Sequence, residues 1–150
     1  QRKLSYFCKV RESNEFNELL ERHKLKKTGP RLSVLEILKS KDSAVSQPDL
    51  EKILGKQVDR VTLYRTLSTF EDKGIIHKVL DFNGTANYAF CSGGCKEHEH
   101  HDEHVHFNCT VCQSIYCLDK VIIPPINLPA GFEASSLHFT IYGVCNNCKN

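Results

Sequence analysis

Residues 59–90 read DRVTLYRTLSTFEDKGIIHKVLDFNGTANYAF, and this stretch decides the fold. Asp59 is suited to cap a helix, because its carboxylate can accept from the free N–H groups of a first turn. Leu63, Leu67 and Phe70 then fall at i, i+4 and i+7, on one helical face. The other side carries Arg60, Thr62, Tyr64, Arg65, Ser68 and Thr69. Gly74 ends the helix as a C-terminal cap. Beyond it the pattern changes to short apolar runs, Ile75 to Leu80 and Asn87 to Phe90, separated by Asn83-Gly84, a tight hairpin signal. A helix with a polar and basic face followed by a hairpin predicts the recognition helix and wing of a winged helix-turn-helix.

The upstream sequence supplies the supporting helices. Ser13 can cap a helix with Phe16, Leu19 and Leu20 on one face. Thr28-Gly-Pro30-Arg31 reads as cap, turn and first helical position of a second helix, where proline's missing N–H has no partner to lose. Val34, Leu35, Ile37 and Leu38 form its buried stripe. Ser46-Gln-Pro48-Asp49 opens a third helix, which turns Leu50, Ile53 and Leu54 inward and ends near Gly55. Residues 1–12 show little periodicity and read as an arm.

Downstream the chemistry changes. Cys109-x-x-Cys112 and Cys145-x-x-Cys148 are two pairs separated by 32 residues. A Cys-x-x-Cys turn presents two thiolates to one ion, and two such turns complete the tetrahedron of a structural zinc site. Just before them lie Cys91, Cys95, His98, His100, His101, His104 and His106. The alternation of His104 and His106 on a strand places both imidazoles on one face, as chelation requires. One tightly held ion and one exchangeable ion are therefore expected. Residues 114–118 and 137–144 read as strands, interrupted by the proline-rich 121–131 stretch.

The chain of 150 residues has eight cysteines and a formal net charge of +2. The paired cysteines and interleaved histidines favour metal over disulfides, and with that a reducing, cytoplasmic setting. No apolar run is long enough to span a membrane, and no charged-then-apolar signal opens the chain, so no membrane partner is expected. The small net charge conceals an asymmetry. Residues 1–78 hold 17 Lys and Arg against 11 Asp and Glu, whereas residues 79–150 hold 3 against 7. A basic half that can face a polyanion is joined to a metal-binding half.

Taken in order, these motifs resemble the ferric uptake regulator family of metal-sensing repressors. The matching residues are Thr28-x-Pro30-Arg31, Val61-Thr-Leu-Tyr64-Arg65-Thr-Leu, and Phe70-Glu-Asp-Lys-Gly74-Ile-Ile. They continue with His104-x-His106-x-x-Cys109-x-x-Cys112 and Ile141-Tyr-Gly143-Val-Cys145-x-x-Cys148. The resemblance implies an α+β chain, with an N-terminal winged helix-turn-helix DNA-binding domain over residues 1–90. A metal-binding hinge over 91–106 and a small α/β, zinc-stabilised dimerisation domain over 107–150 would follow. It also implies a homodimer that binds double-stranded operator DNA when metal-loaded. Arg31, Thr62, Tyr64 and Arg65 are then the candidate DNA contacts.

Within the family, the zinc uptake regulator branch is the most similar in its sensing ligands, here His77, Cys91, His104 and His106. The set implies zinc at the regulatory site as well as at the cysteine site. The iron-sensing branch typically has a histidine just before the segment matching Val45-Ser46, and Ala44 stands there. Cys117, eight positions after Cys109, either completes the sensing site in place of one histidine or is a buried thiol; Cys95 competes with Cys91. The proline-rich 121–131 stretch stands where relatives place a long helix.

A zinc-responsive transcriptional repressor of metal-uptake genes is the resulting expectation, rather than an enzyme. An iron- or peroxide-responsive regulator of the same family is the alternative, followed by a metal-buffering or redox-switch protein. His101-Asp-Glu103 followed by Cys-x-x-Cys resembles the nucleobase deaminases. However, Asn108 stands where proline precedes their cysteine, and the spacing is too short for that active site.

Overall fold

A computed structural model describes residues 14–91, 104–135 and 137–149. Residues 1–13 and 92–103, with Cys8, Cys95, His98, His100 and His101, lie outside the described residues, as do positions 136 and 150. The fold is α+β. Helix α1 covers 14–22, α2 Gly29–Lys39, α3 Gln47–Leu54 and α4 Arg60–Asp72, with a short strand β1, Val45–Ser46, ahead of α3. The hairpin strands are β2, Ile76–Leu80, and β3, Ala86–Phe90. The second half holds β4, Val105–Cys109, β5, Ile115–Leu118, and β6, Phe139–Gly143.

The helices and the first sheet share one core. Phe16, Leu20, Val34, Leu35, Leu38, Leu50, Leu54, Leu63, Leu67, Phe70, Ile75 and Ile76 are buried together. The helical members are positions that periodicity selects; Leu19 and Ile37, also selected, are partly buried against this core, and one selected position lies outside it. Ile53 is 50% exposed, because Leu50 and Leu54, at i and i+4, already fill the core-facing stripe of an eight-residue helix. The α2 start also differs by one position. Gly29 is its first residue and Pro30 its second, and Thr28 caps without a side-chain hydrogen bond.

Helix α4 is fixed at both ends. The Asp59 carboxylate accepts from the Thr62 N–H at 2.9 Å. At the far end Gly74 has φ +69°, and its N–H donates to the Glu71 carbonyl while that of Ile75 donates to the Phe70 carbonyl. This pair of bonds satisfies two otherwise unpaired helix carbonyls and turns the chain directly into β2. The hairpin turn is longer than Asn83-Gly84 alone predicts. The Asp81 N–H donates to the Thr85 carbonyl, and the Asp81 carboxylate accepts from the N–H groups of Asn83 and Thr85. A three-residue tip with Gly84 at φ +78° results, because the aspartate side chain organises the loop around itself.

The first sheet has the order β1-β3-β2 and is antiparallel. The second has the order β5-β4-β6, with β4 antiparallel to β5 and parallel to β6. The connection from β5 to β6 must therefore cross β4, and its described residues hold no helix. That connection runs through the proline-rich 121–131 stretch, where prolines at 124, 125 and 129 cannot support helical hydrogen bonding. The two sheets meet along a seam that includes a main-chain bond, Ala44 N–H to the Ile115 carbonyl at 2.8 Å.

Two outcomes follow from the α4 ends. Gly74→Ala forces a side chain into a left-handed conformation and should lower stability by about 1 kcal/mol in urea unfolding. The Thr62 hydroxyl and N–H hold the Asp59 carboxyl below its ordinary value of 3.8. Its contribution is full above that value and is lost as pH falls through the lower folded value. Asp59→Asn should therefore keep the cap at neutral pH and flatten the loss of stability in acid, measured by thermal melts across pH.

Candidate metal centres and nucleic-acid interface

Strand alternation builds the first centre. Ile76 faces the helical core, so His77, one residue on, points to the opposite side of the hairpin, where the second sheet lies. On β4, His106 sits directly across from Cys117 of β5. His104, two residues before His106, shares that face, while Val105 between them is buried. The imidazole Nε2 atoms of His106 and His77 lie 3.2 Å apart, and the Cys117 Sγ lies 3.5 Å from His77 Nε2. The ring centroids of His104 and His106 are 4.4 Å apart, and that of His77 is 5.0 Å from His104.

One donor atom from each of His77, His104, His106 and Cys117 lies within 4.8 Å of the other three. His77 and His104 are each 6% exposed, while His106 and Cys117 are half-buried. Burial pushes the Cys117 thiol up, but hydrogen bonding with His104, His106 and His77 outweighs it and brings the thiol down to about 5. Asp119 reaches toward the same place, its carboxylate 3.8 Å from His104 Nε2. Three imidazoles and a thiolate are the donor set of a soft or borderline divalent cation, zinc above all.

Of the sequence-derived regulatory set, the structure brings His77, His104 and His106 together and places Cys117 with them. It does not place Cys91 in that group. Cys91 follows β3 and is half-buried, its N–H donating to the Ile75 carbonyl at 3.1 Å. Cys117 is the cross-strand partner of His106, which brings its thiol to the histidines. The sequence signal for Cys117 was its spacing after Cys109. Strand pairing, which spacing alone does not reveal, distinguishes it from a buried thiol.

The second centre gathers Cys109, Cys112, Cys145 and Cys148, whose Sγ atoms all lie within 4.8 Å of one another. Cys109 ends β4, and a turn closed by the Gln113 N–H donating to the Cys109 carbonyl at 3.0 Å carries Cys112. Cys145 leads out of β6 into a single 3-10 turn, Asn146–Cys148, which presents Cys148. The parallel pairing of β4 and β6 holds the two knuckles side by side, reinforced by the Thr110 N–H donating to the Gly143 carbonyl at 2.8 Å. The Cys112 and Cys145 sulfurs are 3.8 Å apart, and the Cys145 N–H donates to the Cys109 Sγ at 3.4 Å. N–H groups of Cys145 and Cys112 bring the Cys109 thiol down to about 6, whereas the adjacent Cys145 thiol pushes Cys148 up to about 12. Four thiols this close cannot all ionise without a cation between them, and a closed four-sulfur set leaves no open position for catalysis.

The α4 face away from the core is open. Tyr64 is 62% and Val61 59% exposed, and Arg65 is exposed beside them. Thr62 is half-buried, with its hydroxyl donating to the Asp59 carboxylate, so it acts first in the cap. Arg31 donates from Nη1 to the Lys26 carbonyl at 2.8 Å and braces the turn before α2.

Comparison with known proteins agrees with this architecture. The chain matches the ferric uptake regulator family over residues 22–128. It is 32% identical to the ferric uptake regulation protein of Legionella pneumophila over 133 residues, 83% of this chain and 92% of that one. It is 29% identical to the Bordetella parapertussis protein of the same name, over 83% of this chain and 90% of that one. The solved ferric uptake regulator of Francisella tularensis with iron superposes with a TM-score of 0.56 at 25% identity, covering 84% of this chain and 96% of that one.

The separation of the two donor groups predicts two independent ions. Metal analysis of purified protein should show that Cys145→Ala loses one ion per chain. His106→Ala should lose a different one and keep the cysteine-bound ion.

Proposed function

The chain belongs to the ferric uptake regulator family, and we propose that it is a zinc-responsive transcriptional repressor. On this reading it binds operator DNA as a homodimer when zinc is loaded and shuts off metal-uptake genes in the cytoplasm. The family is one of metal-responsive DNA-binding regulators, not enzymes. The finer reading rests on one observation: His77, carried by the β2–β3 hairpin, stands among His104, His106 and Cys117 of the second sheet.

His77, His104, His106 and Cys117 would hold the exchangeable ion, and Cys109, Cys112, Cys145 and Cys148 the structural one. A bound cation would supply the positive charge that lets three imidazoles and a thiolate remain close. His77 then ties the wing to β4 and β5, and through the wing it fixes the orientation of α4. Zinc promotes DNA binding only to the extent that it prefers this clamped shape over others.

Residues 1–90 would be the DNA-binding domain, 91–106 the hinge and 107–150 the zinc-stabilised dimerisation domain. Support for pairing comes from apolar surface on the second half, where Ile122 is 91% and Phe132 69% exposed alongside Leu137, Ile141 and Tyr142. A dimer would present two α4 helices to successive major grooves. Arg65 and Tyr64 would contact bases or phosphates, and Arg31 the backbone. Among the described residues no helix is long and apolar enough to cross a membrane.

A second reading, an iron-responsive regulator, is favoured by the names of the relatives, which are ferric uptake regulation proteins. A donor set of three nitrogens and one sulfur favours zinc instead, because iron(II) sites take more oxygen ligands.

Fluorescence anisotropy with a labelled operator-length duplex separates these readings. Wild-type protein should bind upon zinc addition and release upon chelation, and iron(II) under anaerobic conditions should be less effective at equal concentration. His77→Ala and Cys117→Ser should lose most of the zinc dependence while retaining the cysteine-bound ion. Equal binding before and after chelation would overturn the clamp. A stronger response to iron(II) would overturn the zinc assignment.

A further inference from the structure

The first turn of α4 carries an apolar side chain that nothing in the fold explains. Val61 is the second residue of the helix and is 59% exposed. It does not belong to the core cluster or to the partly buried residues packed against it. Valine gains little as a solvated helix residue, since its branched Cβ lowers helix propensity and its methyl groups face water. Its neighbours give it a context. Tyr64 at i+3 and Arg65 at i+4 share its side of the helix, both exposed. Arg60, next to it, is exposed and reaches Glu51 at 3.3 Å. The outward surface of this turn is therefore an apolar spot of Val61 and Tyr64 flanked by guanidinium groups.

The occupant that fits is the major groove of duplex DNA. Recognition helices enter that groove with their N-terminal residues against base edges. The one apolar group presented there is the C5-methyl of thymine, which small and branched side chains contact directly. A cationic rim matches the phosphates on either side. We infer that Val61 reads a thymine methyl in each operator half-site and so requires a T·A pair at the position it faces. This rests on the proposed role of α4 as the DNA reader and adds a specificity determinant beyond Tyr64 and Arg65.

The test uses full-length, zinc-loaded protein and a randomised duplex pool. Wild type and Val61→Ala are each carried through rounds of selection, and the best wild-type duplex is then remade with deoxyuridine replacing each thymine in turn. Deoxyuridine keeps every hydrogen-bonding edge and removes only the methyl. For wild type, one thymine per half-site should show a loss of about fourfold on losing its methyl, the worth of one buried methyl group. For Val61→Ala, whose shorter side chain reaches less of the methyl, that same replacement should cost less than in wild type, and selection should enrich T·A less strongly at that position. Thermal melts and metal content should match wild type, because the side chain is outside the core.

Identical selected sequences for both proteins would overturn the inference, as would deoxyuridine penalties that persist unchanged in Val61→Ala. Either result leaves the regulator reading intact. If wild type enriched no sequence from the pool, the regulator reading would fail and this inference with it.

Discussion

Two faces that would ordinarily be solvated, the outer side of the wing hairpin and one side of the second sheet, are pressed together around polar groups. Their meeting point is His77 with His104, His106 and Cys117. An apolar seam would hold these faces together under all conditions, because burial of hydrocarbon needs no partner. Imidazoles and a thiol behave differently. With ring nitrogens 3.2 Å apart, at most one proton can serve the pair, and burial penalises every uncompensated polar atom. Under the proposed clamp, the association would depend on a cation. A divalent cation is the group whose charge and coordination number suit this set.

The cysteine centre has a different physical character. Its four sulfurs come from β4, β6 and the turns that leave them, all within one small sheet. A second half with few buried apolar residues, Val105, Cys109, Ile115 and Cys145 among them, has little hydrophobic stabilisation of its own. Metal ligation there would be part of folding free energy rather than a signal. One strand, β4, links the two donor groups: His106 lies on it and Cys109 ends it.

Much of this was legible from residues alone, for identifiable reasons. The α4 stripe of Leu63, Leu67 and Phe70 and its caps at Asp59 and Gly74 depend on local periodicity and backbone conformation, which sequence encodes directly. The paired cysteines were legible because a Cys-x-x-Cys turn is a local geometry. Less legible was everything that depends on strand register. Cys117 belongs beside His106 because β5 pairs with β4 in a particular alignment, and spacing along the chain does not specify that alignment. Ile53 shows a smaller limit of the same kind: periodicity places it near the apolar stripe, but the width of the core decides which flank is covered. Asn83-Gly84 by itself specifies a tighter wing turn, whereas Asp81 recruits two N–H groups and widens the loop.

The bond between the Ala44 N–H and the Ile115 carbonyl joins the halves through main chain alone. Side-chain drift leaves such a bond chemically intact, since every residue but proline brings the same donor. On the proposed reading, a change among His77, His104, His106 and Cys117 would alter the clamp while this main-chain bond keeps the seam aligned. Which metal the clamp would answer to and how the two parts touch are thus set by different atoms.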